Sequence, residues 1–267
     1  MRYEILTYRC GAVTEVVRHI PRKLRGESSG LKGPKPDRKT KEEIEAANAR
    51  QAVRKLIRKI NANFRPGDLH VTLTYDGKRG RPGPEEAKRI VRRFQHLVRK
   101  AYKAMGQPYK YVLVTEYKNK AIHHHLIANW VNDGTRTAKD IIRNCWTAAG
   151  GTGRPKYVDL DESGDYQKLA AYLIKETEKT FREEGGFRQR YSCSRNLIDP
   201  KPVRRTVKVK NMWDLSPRTR PGYHIEEDSV YNGFDKAGYP YQSYYLIKDR
   251  PVPEDWDPPG EVPRDTT

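Results

Sequence analysis

The sequence predicts an α+β fold with an antiparallel central sheet and flanking helices. Asp68 to Tyr75, DLHVTLTY, alternates Leu69, Val71, Leu73 and Tyr75 against His70, Thr72 and Thr74, the period of a half-buried strand. Tyr109 to Tyr117 and Ala121 to Trp130 are two further strand-like segments, separated only by Lys118-Asn119-Lys120, which reads as an antiparallel hairpin. Helical periodicities fall between and after these strands, an interleaving that favours an antiparallel layered fold over a parallel doubly wound sheet.

The remaining elements follow in order. Ile44, Ala47, Val53, Leu56, Ile57 and Ile60 recur at three- and four-residue steps among basic residues, so this stretch reads as an amphipathic helix. Pro84-Glu85-Glu86 opens a second helix, since proline suits the first helical position and acids suit the positive end of the dipole. Its buried stripe is expected at Ala87, Ile90, Val91, Phe94, Leu97, Val98, Ala101 and Met105. A short helix near Thr137 to Thr147, the loop GGTGRP, a strand around Lys156 to Leu160 and a helix from about Asp165 to Lys179 complete the pattern.

Arg22 to Lys41 is rich in Lys, Arg, Gly, Pro and Ser and reads as a mobile basic arm. Lys201 to Arg220 is again strongly basic, and the last residues are acidic and proline-rich, as expected of an extended tail. The chain therefore divides into 1–64 (strand, basic arm, amphipathic helix), a principal domain over 65–200, and 201–267 (basic segment and tail).

A formal charge of +19 over 267 residues creates a field that attracts phosphate backbones, so nucleic acid is the leading partner class. Arg204, Arg205, Lys208 and Lys210 are the candidate phosphate contacts in the second basic stretch. Cys10, Cys145 and Cys193 form no CxxC pair and suggest neither a disulfide framework nor a cysteine-rich zinc site. No apolar run reaches membrane length, so no membrane partner is expected and a cytoplasmic location is.

The hairpin holds the sharpest chemical signal. His123 and His125 are one residue apart and so point to the same sheet face, with Glu116 on the neighbouring strand as a third donor. Two imidazoles and a carboxylate suit manganese, zinc or a related divalent ion, and leave positions open for water or a phosphate oxygen. A half-exposed strand with no ligand role explains the same three histidines; His124, on the opposite face, reads as packing. In the last helix Tyr172 and Lys175 are three residues apart and share a face, so a phenol and an ammonium can meet one phosphate. Tyr166 is the competing tyrosine, about 120° away around a 3.6-residue helix.

Together these segments resemble the HUH endonucleases, specifically the rolling-circle replication initiators of plasmids and phages. The family's apolar strand motif is matched at Val71 to Tyr75, its His-hydrophobic-His motif at His123 to His125, and its Tyr-x-x-Lys motif at Tyr172 to Lys175, in the family's order; His124 stands where the family usually has an apolar residue. The resemblance covers roughly residues 65–200 and implies a ferredoxin-like, RRM-like sheet. It implies Glu116, His123 and His125 as metal ligands, Tyr172 as nucleophile and Lys175 as the residue that binds the scissile phosphate or tunes the phenol. The implied cofactor is a divalent metal ion, Mn2+ or Mg2+, and the implied substrate single-stranded origin DNA at a hairpin or nick site. No G-x-x-x-x-G-K-[ST] loop occurs, so helicase and polymerase are expected as separate proteins. A relaxase, a transposase or a non-catalytic module that reads single strands by stacking and basic contacts are the competing readings.

Overall fold

The computed structural model describes residues 2–26, 30, 40–118, 121–181, 191–210 and 212–249. In chain order the elements are β1 (Arg2–Cys10), β2 (Val13–His19), α1 (Lys41–Asn63), β3 (Leu69–Leu73), α2 (Pro84–Ala104), β4 (Tyr111–Lys118), β5 (Ala121–Ala128), α3 (Ala138–Ala149), β6 (Lys156–Asp159), α4 (Gln167–Phe181), β7 (Ser192–Cys193), β8 (Val203–Lys208), β9 (Tyr223–Ile225), β10 (Tyr231–Phe234) and β11 (Pro240–Lys248). Every strand pairing among the described residues is antiparallel, and the fold is α+β as the sequence predicts. No helix among the described residues is long and apolar enough to cross a membrane.

The chain forms two compact units. The first gathers Met1–Ala62, Ser163–Asp165 and Asp199–Thr267, and the second Asn63–Glu162 and Tyr166–Ile198. The sequence reading set residues 1–64 and 201–267 apart as separate flanks of one core; instead, strands from both build the first unit. Its sheet runs β10-β11-β2-β1-β8, with β9 also pairing β11. A two-residue loop, Gly11-Ala12, joins β1 to β2 between paired Cys10 and Val13, and Gly11 supplies the positive φ of 63° that a tight hairpin needs. The stretch expected to be a basic arm lies largely outside the described residues, as do Arg250 and everything beyond it.

Helix α1 starts at a reciprocal cap: Thr40 Oγ1 accepts from the Glu43 amide at 3.2 Å while the Glu43 carboxylate accepts from the Thr40 amide at 3.0 Å. The expected apolar stripe is buried only in part. Leu56, Ile57 and Ile60 are buried, whereas Ile44 is 48% exposed, because burial along this helix begins only at Ala49. Glu15 on β2 is buried and is held by Arg54 and Arg58 of α1, with the Arg58 guanidinium 3.4 Å from the Tyr8 ring centroid. A carboxylate taken from water needs such partners.

The second unit has a five-stranded sheet in the order β6-β3-β5-β4-β7. One face carries Leu69, Val71, Leu73, Leu113 and Leu126 and packs against Val91, Phe94, Val98 and Tyr102 of α2 and Ile141, Ile142 and Trp146 of α3. Pro84 occupies the first turn of α2, and Thr137 with Asp140 forms a capping box on α3. The other face packs along α4, whose Ala170, Leu173 and Ile174 are buried. The short strand β7 closes the β4 edge, and Ser194 Oγ accepts from the Tyr111 amide at 3.1 Å.

The loop after α3 must be glycine-rich because it wraps Trp146 against the end of β3. Trp146 Nε1 donates to the carbonyls of Gly153 at 3.1 Å and Thr74 at 3.3 Å. A Cβ on Gly153 would lie 2.5 Å from the Thr74 carbonyl oxygen, and backbone cannot swing aside as a flexible side chain can. Gly153→Ala should therefore destabilise the protein by ~1–3 kcal/mol, the usual cost of overpacking, as read by urea denaturation. An unchanged midpoint would show that the loop does not press on Thr74.

Candidate metal centre and its tyrosine

The site is built by strand register. In the β4–β5 ladder Glu116 lies opposite His123, Thr115 opposite His124 and Val114 opposite His125. Opposed residues of an antiparallel pair share a face, with Cβ atoms about 4.5–5.5 Å apart. Glu116, His123 and His125 therefore converge on the face that α4 covers, and His124 turns to the α2–α3 face.

The Glu116 Oε2 atom lies 2.9 Å from His123 Nε2 and 3.3 Å from His125 Nε2. The three prospective donor atoms all fall within 4.8 Å of one another. Glu116 and His125 are buried and His123 is half-buried. The second carboxylate oxygen, Glu116 Oε1, is buried and has no hydrogen-bond partner among the described residues. A buried carboxylate oxygen left unpaired is costly, and a cation bound between the two imidazoles and this carboxylate would remove the deficit. The donor set of two nitrogens and one oxygen suits a divalent ion with open positions. The residues present fit a metal ion, and the cluster is able to hold one.

Tyr172 on α4 stands beside this cluster, its ring edge-on to His125 with centroids 5.4 Å apart and 42% of its surface exposed. Lys175, one turn on, is also exposed. The competing Tyr166 differs in every respect: it is 2% exposed, precedes the first turn of α4, and donates its hydroxyl to the Asp161 carbonyl at 3.3 Å.

His124 is more than packing. Fully buried, it meets the Thr115 hydroxyl at Nδ1 (2.9 Å) and the Tyr75 hydroxyl at Nε2 (3.0 Å), and its ring packs edge-on to Trp146. Burial, followed by the neighbouring His123 and His125, pushes its pKa down to about 3. A neutral imidazole offers one donor and one acceptor, which two hydroxyls can satisfy. This explains how histidine occupies a position facing an apolar core.

Sequence reasoning missed His70. It is half-buried on β3, where Thr72 pairs with His125, so His70 is the diagonal neighbour of His125 on the same face. Its Nε2 lies 3.2 Å from His125 Nδ1 and the rings stack at 28°. Burial and then His125 push its pKa down to about 4. The alternation of β3 already placed His70 on the side away from Leu69 and Val71; the pairing register was the missing information.

Arg204, Arg205, Lys208 and Lys210 are exposed residues of the first unit. Along the edge strand β8, Arg204, Thr206 and Lys208 share one face and Val203, Arg205 and Val207 the other. Arg204 also lies 3.7 Å from the buried Glu4 carboxylate.

Residues 68–181 match a family of replication-associated proteins, the ORF2 type. The matched stretch runs from the start of β3 to the end of α4 and contains Glu116, His123, His125, Tyr172 and Lys175. It ties this part of the chain to DNA replication. No curated protein and no solved structure matches the chain.

The His124 contacts give a stability test. His124→Leu should cost ~1–3 kcal/mol by leaving the buried Thr115 hydroxyl without its partner. Adding Thr115→Val should recover part of that loss, so the two changes should be non-additive in a double-mutant cycle. Strict additivity in denaturant unfolding would mean that the imidazole and the hydroxyl do not support each other.

Proposed function

We propose that this protein is a replication initiator of the HUH endonuclease type, which nicks single-stranded DNA at an origin hairpin or nick site and becomes joined to its 5′ end. The observation that carries the reading is the Tyr172 ring set against His125, beside a cluster of Glu116, His123 and His125 able to hold a cation. The match of residues 68–181 to a replication-associated family supports the same reading. The non-catalytic alternative would present an open aromatic sheet face to the bases. On this face the ladder instead presents a carboxylate and two imidazoles.

In this reading Glu116, His123 and His125 hold a divalent ion, Mn2+ or Mg2+, which when bound supplies Lewis-acid polarisation of a phosphoryl oxygen. The remaining steps belong to the side chains. A free phenol has a pKa of about 10, so Tyr172 needs nearby positive charge to react as phenolate, and Lys175 on the same helical face supplies one. The Tyr172 oxygen attacks the scissile phosphorus, forming a P–O bond to tyrosine as the bond to the 3′ oxygen breaks. The phenolic proton passes to solvent and the leaving 3′ oxygen takes up a proton, giving a free 3′-hydroxyl. The 5′-phosphotyrosine conserves the bond energy, so a later 3′-hydroxyl can reverse the step and rejoin the strand. A separate polymerase extends the 3′ end and a separate helicase opens the duplex.

The exposed cations of the first unit, Arg204, Arg205, Lys208 and Lys210, add sequence-independent affinity through counterion release. Each phosphate deprived of its cation should lower the slope of log affinity against log salt by about 0.7 for a single strand. Neutralising all four should flatten that slope while leaving site preference intact; an unaltered slope would put them outside the DNA path.

The enzymatic reading is tested by incubating the full chain with end-labelled single-stranded origin DNA and manganese and looking for a covalent band that survives detergent. Tyr172→Phe should abolish the band and preserve metal uptake, whereas Tyr166→Phe should retain it. His123→Ala should lose metal uptake and cleavage together. The opposite pattern for the two tyrosines would make Tyr166 the nucleophile. A wild-type protein that never couples to DNA in either metal would replace the enzyme with a binding module.

A further inference from the structure

We propose that His70 is a positioning residue for the metal centre: its Nε2 accepts the Nδ1 hydrogen of His125 and so fixes the tautomer whose Nε2 is turned to Glu116. The inference rests on the reading of Glu116, His123 and His125 as a cation site. It concerns a residue outside that donor set.

The argument is one of proton placement. The His125 nitrogen that faces the cluster is Nε2, 3.3 Å from Glu116 Oε2. A nitrogen that gives its lone pair to a cation carries no hydrogen, so the other nitrogen of a neutral imidazole must carry one and requires an acceptor. The atom that meets His125 Nδ1 is His70 Nε2, at 3.2 Å. For that contact to be a hydrogen bond, His70 must keep its own hydrogen on Nδ1 and offer Nε2 as a lone pair. Metal-bound histidines usually use a carboxylate, carbonyl or water in this role; here a second imidazole takes that place. The rings are stacked at 28° with centroids 5.4 Å apart, so His70 also restrains rotation of His125 about its side-chain bonds. With Tyr172 edge-on to the same imidazole at 5.4 Å, the ring is bounded by both side chains. The β3–β5 register supplies the placement without any loop, because His70 sits one pleat from the Thr72–His125 pair.

The test is manganese titration of the full-length protein by calorimetry, with thermal melts in chelator as the fold control. His70→Leu removes the acceptor and should weaken manganese binding by about 10–100-fold, the usual effect of losing such a partner. His70→Gln can place a carbonyl oxygen where Nε2 stood, and should restore most of the affinity. His70→Asn is equally polar but one methylene shorter, and should bind as weakly as His70→Leu. The Gln and Asn pair carries the test even if His70→Leu fails to fold. Equal manganese affinity in wild type and His70→Leu overturns the proposal, and so does equal affinity in the Gln and Asn variants. If His70→Gln is as weak as His70→Leu, His70 acts as something other than an acceptor, and the proposal fails. Wild-type protein that takes up no manganese has a separate signature: it removes the metal reading itself, and the role of His70 with it.

Discussion

The register between β4 and β5 is the constraint on which the site depends. Three consecutive histidines cannot share a face of a strand, so the ladder sorts them: His123 and His125 go with Glu116, and His124 goes to the core. A slip of one residue would reverse the assignment. It would drive two imidazoles in among Trp146 and Leu126 and leave a single one facing Glu116. The apolar alternation of Leu113, Leu126, Val71 and Leu73 against α2 and α3 holds the register, so the packing on one face specifies the chemistry on the other.

The two faces also meet opposite electrostatic demands. Toward α2 and α3, the buried imidazole of His124 is kept neutral and its two nitrogens are met by hydroxyls. Toward α4, a buried carboxylate keeps one oxygen without a partner among the described residues. Native interiors rarely leave such a group unpaired, and the exception coincides with the tyrosine. In the first unit a buried carboxylate is treated differently: Glu15 is held by two arginines. The Glu116 carboxylate instead meets the imidazoles of His123 and His125.

Much of this was legible in the sequence because it is local. The alternation of DLHVTLTY, the hairpin spacing, Pro84 at a helix start and the i, i+3 relation of Tyr172 and Lys175 all depend on neighbours within a few residues. What was not legible depends on partners far along the chain. The pairing of β1 with β8 and of β2 with β11 joins segments about 200 residues apart, and neither basic flank announces its partner by composition. His70 reads as the polar side of a strand until Thr72 is known to oppose His125. The exposed Ile44 shows the converse limit: periodicity identifies a helix face, but it cannot say how far along the helix a partner surface extends.

The connectivity of the two units has a consequence for biogenesis. The second unit interrupts the first: β1, β2 and α1 precede it, and β8 to β11 follow it. During synthesis the ribosome completes every strand of the interior unit while the outer sheet still consists of one hairpin and a helix. An isolated two-stranded hairpin is marginal in water, so the outer sheet must wait for its C-terminal strands and closes last. Its closure carries a large loop entropy, which the folded interior reduces by bringing its own two ends to fixed positions. A nascent chain stalled after α4 would thus carry the elements of the candidate catalytic face but an unfinished outer sheet, with the strands of its hairpin unpaired on their outer edges.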